Sequence, residues 1–286
     1  MANDNAVMQS LALDLGWPSY QQITVDRWQG SQHTQEADFV AEEVPISLIY
    51  NGVPHVVMLA TPTNLEEFAL GFSITEGIIK KTSELLSTRI YNHANGIEIQ
   101  LKIPDERFVC MSDKGRNLTG RTGCGLCGAS TLKQAIRQPA PVHGNLKLTS
   151  QDLLTALTQV KQRQKLNKIT GSVHAAAWAV PGQGILDIRE DVGRHNALDK
   201  LIGLLLRSGR DLSEGFVVVT SRASYEMVQK TAFVGITLLA AISAPTGLAI
   251  RLANEAGLTL IGFARNEQHV VYAHPQRLTH INNNFN

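Results

Sequence analysis

The sequence of 286 residues has few cysteines, almost no net charge and no basic residue near its start. Three cysteines, an odd number in a chain of this length, argue against a disulfide framework and favour a reducing compartment. The formal net charge of +1 gives no general attraction to nucleic acid or anionic lipid, so we expect neither as a partner. The first basic residue is Arg27, which leaves no basic region for a secretory signal, and we expect a cytoplasmic protein.

Charged residues are also missing from residues 231–250, a stretch of about the length that a membrane-spanning helix requires. Ser243, Pro245 and Gly247 interrupt this stretch. It therefore divides more naturally into the end of a helix, a buried strand and the start of another helix. We expect no membrane span.

The first half of the chain indicates mixed structure. Residues 1–38 are polar and weakly periodic, and we expect a flexible N-terminal arm there. Residues 39–145 predict a smaller α+β domain, in which Asn51-Gly52 and the similar dipeptide at 95–96 suit the tight turns of two β-hairpins. Apolar residues at near-helical spacing over 65–74 predict a helix between the hairpins. A mobile loop over 110–128 belongs to this domain.

The second half, residues 146–286, predicts an α/β domain, which makes α/β the fold class of the chain. Strands at 216–219, 238–242 and 258–263 alternate with helices at 225–236 and 247–255. Such an alternation builds right-handed crossovers and a mostly parallel sheet. Ligands of these sheets bind beyond the C-terminal ends of the strands, so we expect a site at that edge.

Three segments at this edge carry groups that suit an anion. Ser221 and Arg222 come directly before a predicted helix, and Arg194 and His195 lie at the positive N-terminus of another. An ordinary helix cap explains each of these two segments as well as a phosphate site does. A third segment lies at the same edge, and the three segments together would hold a dinucleotide. The candidate residues of the third segment, which follows the last parallel strand, are Phe263, Ala264, Arg265, Asn266, Glu267 and Gln268.

Residues 120–128 contain two of the three cysteines, Cys124 and Cys127, among four glycines. Because glycine loses the most backbone entropy on ordering, this composition favours a mobile loop. A free cysteine is only about 3% thiolate at pH 7, and positive neighbours increase that fraction by lowering the pKa of the thiol. Three basic residues lie within the ten positions before Cys124, namely Lys114, Arg116 and Arg121.

On the residues alone, three interpretations of the cysteine pair stay open. In the first, a structural zinc module binds a nucleotide and partner proteins without chemistry, with Cys110 and either His143 or His93 as further ligands. The second, a dithiol–disulfide oxidoreductase, needs its first cysteine at a strand-to-helix junction, whereas glycines flank both cysteines here. The third, which we favour, is a persulfide carrier that accepts sulfur on Cys124 and needs no resident metal.

A zinc deaminase also combines histidine with a C-x2-C pair, but the order of the residues is wrong here. The position two after His174 holds Ala176, where that chemistry needs a catalytic glutamate. In addition, the cysteine pair precedes His174 instead of following it. We therefore expect His174 to be a pocket or core residue.

Seven short motifs occur in order along the chain, at residues 42–45, 68–73, 120–128, 174–178, 190–195, 221–226 and 274–277. Together they resemble the FdhD family, the formate dehydrogenase accessory sulfur carriers. The resemblance covers roughly residues 41–278 and leaves out only the N-terminal arm.

This resemblance implies that a cysteine desulfurase loads a persulfide on Cys124, with Cys127 as its partner. The sulfur then passes to the molybdenum cofactor, a bis-molybdopterin guanine dinucleotide, before insertion of that cargo into formate dehydrogenase. The resemblance assigns residues 263–268 to binding the cofactor, which a guanine nucleotide would mimic. It also implies a homodimer and a cytidine-deaminase-like second domain. Whether the protein acts as a sulfurtransferase or as a stoichiometric carrier stays open.

Overall fold

The computed structural model describes residues 16–115, 139–265 and 268–279, which form two main sheets and two two-stranded ones. The strands are β1 Tyr20–Gln29, β2 Gln32–Ala41, β3 Val44–Tyr50, β4 Val53–Ala60, β5 Ser87–His93, β6 Gly96–Lys102, β7 Leu148–Thr149, β8 His174–Val180, β9 Gly184–Asp191, β10 Phe216–Val219, β11 Leu238–Ala241, β12 Thr259–Arg265, β13 Gln268–Ala273 and β14 Leu278–Thr279. The helices are α1 Leu65–Thr75, α2 Asp105–Gly115, α3 Ser150–Arg163, α4 Lys165–Thr170, α5 Arg194–Arg207, α6 Tyr225–Phe233 and α7 Gly247–Ala256, with single 3-10 turns at Thr82–Glu84 and Pro275–Arg277.

Strands β1 and β2 form an antiparallel ribbon where the sequence predicts a flexible arm. The prediction is wrong from residue 20 onward, and residues 1–15 lie outside the described part of the chain. Most side chains of the ribbon are exposed on both faces, so the segment has no apolar alternation from which strands are predicted. At its base the rings of Tyr20 and Phe39 meet edge to face, with centroids 5.8 Å apart. Cross-strand pairing therefore stabilises it in place of a buried face.

The four-stranded sheet has the order β4-β3-β6-β5 and confirms both predicted hairpins. Asn51 and Gly52 have φ angles of 49° and 84°, as a type I′ turn requires. The predicted helix is α1, which buries Phe68 and Phe72 against the inward face of this sheet. We call this sheet, with α1 and α2, the N-terminal unit.

The six-stranded sheet has the order β13-β12-β11-β10-β8-β9. Its three central neighbours β10, β11 and β12 are parallel, which confirms the predicted alternation of strands and helices. β8 and β13 are antiparallel to their neighbours, and β9 again runs in the direction of β10. Four of the six strands thus share one direction, and the sheet is mixed at its two ends.

Helices cover both faces of the six-stranded sheet. Trp178, Val217 and Leu239 pack on one face with the apolar sides of α5, α6 and α7. Phe216 and Val218 point to the other face, where α3 covers them. Because the strands are buried on both sides, their sequences are apolar runs, as is typical of α/β proteins. We call this sheet and its helices the C-terminal unit.

The two units meet where α1 crosses α5. A Cβ atom added to Gly71 would lie 1.8 Å from the carbonyl oxygen of Asp199, and one added to Gly203 would lie 1.9 Å from that of Glu67. Only glycine at both positions allows the two backbones to approach so closely. In the described part of the chain, no helix has the length and apolarity needed to span a membrane.

Candidate functional site

At the predicted site edge of the six-stranded sheet, the segments after β10 and β11 lie beside the end of β12. The amide of Ile242 donates to the carbonyl of Val219 at 3.0 Å, and that of Phe263 donates to the carbonyl of Ser243 at 3.2 Å. Ala223 also forms an isolated parallel bridge with Pro245. These bonds continue the ladder beyond the strands and form a layered edge on which a ligand can lie across several loops.

The turn between β9 and α5 presents Arg194 and His195 at the same edge. Gly193 is the N-cap of α5 and has no side chain with which to cap the helix. The carboxylate of Asp191 instead accepts the amide of Gly193 at 2.8 Å and the side-chain amide of Asn196 at 3.1 Å. The turn is therefore fixed by a fully buried carboxylate that is not itself the N-cap.

His195 joins this turn to the start of α6. Its Nε2 atom lies 2.8 Å from Oε2 of Glu226, and both side chains are largely buried. Glu226 is a first-turn residue of α6, so the pair brings the N-terminal ends of two helices together. Glu226 is not among the site residues predicted from the sequence. Its signal is its position just after the predicted start of a helix that follows a parallel strand.

His174 begins β8 and lies opposite Asp191 in the ladder with β9. Burial lowers the pKa of His174, and the positive charge of Arg194 lowers it further. The half-buried His174 thus belongs to the polar cluster at the edge, in keeping with the expectation of a pocket or core residue. An anion bound close to it would favour its protonated form.

The segment before α6 contains the predicted residues Ser221 and Arg222. Arg222 is exposed, whereas Ser221 is buried and donates its hydroxyl to the carbonyl of Arg222 at 3.0 Å. Ser224 is the N-cap of α6 and makes no capping bond. Its Oγ atom is buried, and it has no hydrogen-bond partner within the described residues. A buried hydroxyl of this kind at a helix N-terminus fits a ligand oxygen.

The third predicted segment is the end of β12 and the start of β13, which pair through Arg265 and Gln268, and not a loop after the strand. The ladder is irregular between Gly262 and Arg265, and Phe263 has a φ of 51°, a left-handed conformation that is rare for an aromatic residue. Phe263 is 39% exposed, and Cζ of Arg265 lies 5.9 Å from the centroid of its ring. Such strain is typical of functional sites.

The remaining residues of this segment differ in what they can offer. Ala264 is fully buried in the core and offers a ligand no exposed group. Gln268 is exposed at the start of β13. Asn266 and Glu267 lie outside the described residues, and their predicted role stays a prediction.

The predicted sulfur chemistry falls on Cys124 and Cys127, which also lie outside the described residues. Cys110 is an exposed free thiol on α2, the helix that leads toward them. Within the described ranges, no three His, Cys, Asp or Glu side chains come together as a metal site. The roles of the three cysteines therefore stay predictions.

Together, the edge combines two helix N-termini, basic side chains and one exposed aromatic ring. The helix ends and Arg222 suit phosphate, and the ring of Phe263 suits a stacked base. A model described as the FdhD/NarQ family matches residues 41–279, which include all the described site residues. The chain belongs to the FdhD/NarQ family. That membership confirms the resemblance found in the sequence motifs.

Curated relatives in the FdhD/NarQ family are similar over nearly their whole length. A protein of Cupriavidus necator named "Sulfur carrier protein FdhD" is 52% identical over 263 residues, 92% of this chain and 91% of the relative. One of the same name from Xanthomonas euvesicatoria pv. vesicatoria is 52% identical over 255 residues, 89% of this chain and 91% of the relative.

A solved structure supports the α/β fold. It is the crystal structure of a protein from Desulfotalea psychrophila assigned as a formate dehydrogenase accessory protein, with a TM-score of 0.72 and 24% sequence identity. The match covers 92% of this chain and 100% of that one. At this identity, the likeness bears on the fold alone.

Proposed function

We propose that this FdhD/NarQ protein carries sulfur for the maturation of formate dehydrogenase. The observation that supports the proposal best is the 52% identity, over 92% of the chain, to a relative named a sulfur carrier protein. The cysteine pair in a glycine-rich segment supplies the chemistry that such a carrier needs. The proposed donor is a cysteine desulfurase, and the proposed recipient is the molybdenum cofactor before its insertion into formate dehydrogenase.

Loading takes place on Cys124. Its thiolate attacks the outer sulfur of a persulfide on the desulfurase, the sulfur–sulfur bond of the donor breaks, and the desulfurase thiolate leaves. The product is a persulfide on Cys124, and no electrons are lost to a third party. A thiol of lowered pKa suits this step because the thiolate is the attacking species.

Release uses Cys127. Its thiolate attacks the inner sulfur of the persulfide, which forms a disulfide between the two cysteines and expels the outer sulfur as hydrosulfide. The hydrosulfide binds the molybdenum of the cargo as a ligand, so the metal gains no electrons in this step. A dithiol reductant then returns the disulfide to two thiols and makes the next round possible.

The cargo's guanine dinucleotide binds at the edge of the six-stranded sheet. The N-termini of α5 and α6 with Arg222 contact phosphate, and Ser224 contributes its buried hydroxyl, which has no partner among the described residues. The exposed ring of Phe263 stacks on a guanine. We also propose that the protein works in the cytoplasm as a homodimer, which leaves one such edge in each subunit.

Mass spectrometry after incubation with a cysteine desulfurase and cysteine tests the loading step. We expect one added sulfur atom on the peptide that contains Cys124, and none on that peptide in C124A. The matched control is C110A, which removes the third cysteine and leaves the pair intact; we expect it to load normally. Equal loading of C124A, or stoichiometric zinc in the purified protein, would contradict the proposal.

A further inference from the structure

Thr61 follows β4 of the N-terminal unit, and each of its hydrogen-bonding groups contacts the C-terminal unit. Its amide donates to Oδ2 of Asp191 at 3.1 Å, and its carbonyl accepts from Nζ of Lys200 at 2.9 Å. Its hydroxyl oxygen accepts the amide of Val192 at 3.1 Å. Thr61 is fully buried, so water does not replace these bonds.

A buried ion pair completes this junction. Oδ2 of Asp191 lies 2.6 Å from Nζ of Lys200, and neither side chain has any exposed surface. Burial lowers the pKa of Lys200, and the carboxylate of Asp191 opposes that change. Because removing two charges from water costs about as much as their attraction returns, such a pair is weak evidence for stability. Its geometric effect, which is to hold Thr61 and Asp191 in one arrangement, is the more informative property.

The same carboxylate holds the turn that presents Arg194 and His195. Its other oxygen accepts the amide of Gly193 and the side chain of Asn196. Asn196 also donates to the carbonyl of Leu59, at the end of β4, at 2.8 Å. Arg194 and His195 therefore lie between two anchored positions: Val192 before them bonds to Thr61, and Asn196 after them bonds to Leu59.

We propose that Thr61 is a positioning residue for the anion site: through its bonds to Asp191, Val192 and Lys200, the N-terminal unit sets the orientation of Arg194 and His195. The inference rests on the proposed nucleotide site and adds a specific role for the other half of the chain. A shift of the two units relative to each other would move the turn and weaken anion binding. The unit that leads into the cysteine pair thereby controls the affinity of the unit that holds the cargo.

The test compares T61V with T61S in the full-length protein, with guanosine diphosphate as the probe in isothermal titration calorimetry. Valine keeps the shape of threonine and removes the acceptor for the amide of Val192, whereas serine keeps it. We expect T61V to weaken binding by at least about fivefold, the lower end of typical coupling between sites. The dissociation constant of T61S should stay within about twofold of wild type, because serine keeps the hydroxyl acceptor; a twofold change is below 1 kcal/mol.

The matched control is T75V, the same substitution at another buried junction between the units. The hydroxyl of Thr75 donates to Asp199 at 2.8 Å and accepts from Lys230 at 2.9 Å, away from the turn. We expect T75V to lower the melting temperature and to leave the dissociation constant within about twofold of wild type. A general loosening of the protein would instead weaken binding equally in T61V and T75V.

Two further outcomes separate this proposal from the proposed function. Unchanged binding by T61V, or equal weakening in T61V and T75V, overturns the positioning role while the nucleotide site stands. Absence of binding to wild type overturns the nucleotide site and this proposal with it. If T61V does not fold, N196A removes the bonds of Asn196 to Leu59 and to Asp191 and must weaken binding in the same way.

Discussion

Substitution of Gly71 by alanine should destabilise the protein more than one methyl group normally does. The new Cβ would lie 1.8 Å from the carbonyl oxygen of Asp199, more than an ångström inside the closest approach of real Cβ atoms. The contact is with a backbone atom, and both helices are held by further buried bonds, so neither backbone can move away to relieve the overlap. Overpacking of a core typically costs about 1–3 kcal/mol, and here the backbone contact puts the cost at the upper end.

The gain in helix propensity from glycine to alanine, up to about 1 kcal/mol, offsets part of this cost. We expect a net loss of about 2–3 kcal/mol in the free energy of unfolding for G71A. For a protein of this size, about 2 °C per kcal/mol is typical, so the melting temperature should fall by about 4–6 °C. Circular dichroism during thermal and urea unfolding measures both quantities.

The control is G247A at the first residue of α7, where the nearest atom to an added Cβ is a side-chain nitrogen of Arg251 at 3.7 Å. This variant has room for the methyl group and should be as stable as wild type or slightly more stable. A melting temperature of G71A equal to that of wild type would refute the reasoning. An equal loss in G247A would do the same, because the effect would then not depend on the helix crossing.

Two further predictions concern the carboxylate of Glu84 and the strained backbone of Phe263. Hydrogen bonds from Arg107 lower the pKa of Glu84 from 4.5 to about 2, so this pair stabilises the protein above pH 4.5 and its contribution is lost as the pH falls toward 2. Urea midpoints of E84Q should therefore depend less on pH in this window than those of wild type, and parallel profiles would contradict the assignment. F263G should be as stable as wild type or up to about 1 kcal/mol more stable, because the left-handed φ suits glycine. It should bind guanosine diphosphate about tenfold more weakly, since stacking of a base contributes about 1–3 kcal/mol; F263L, which keeps the strained backbone, should lose affinity without gaining stability.

Local chemistry explains which elements were predictable. Asn51 and Gly52 define a turn by their own backbone preferences, so the hairpin around them follows from the sequence. The strand over Phe216–Val219 is an apolar run between turn residues, and its bounds agree with the prediction. The ribbon of β1 and β2 lacks such a signal because its stability depends on pairing between two strands that are both largely exposed.

The site was predictable only in part for a related reason. The alternation of strands and helices places Ser221, Arg222 and Phe263 at one edge of a sheet, as the structure confirms. The contact of His195 with Glu226 joins residues on different helices, and no local pattern marks it. The bonds of Thr61 to Asp191 cross 130 positions of sequence and depend on the packing of the two units.

The buried lysines at the junction make the two halves of the chain mutually dependent. Lys200 and Lys230 belong to the C-terminal unit, yet Lys200 bonds to Thr61, and Lys230 bonds to Thr75 and Glu76 of the N-terminal unit. Expressed alone, either half would expose a surface that is buried in the whole protein, and its ammonium or hydroxyl groups would lose the hydrogen bonds that cross the junction. Chimaeras that join the N-terminal unit of one distant homologue to the C-terminal unit of another should consequently fail to fold, unless the residues on both sides of the junction come from the same protein.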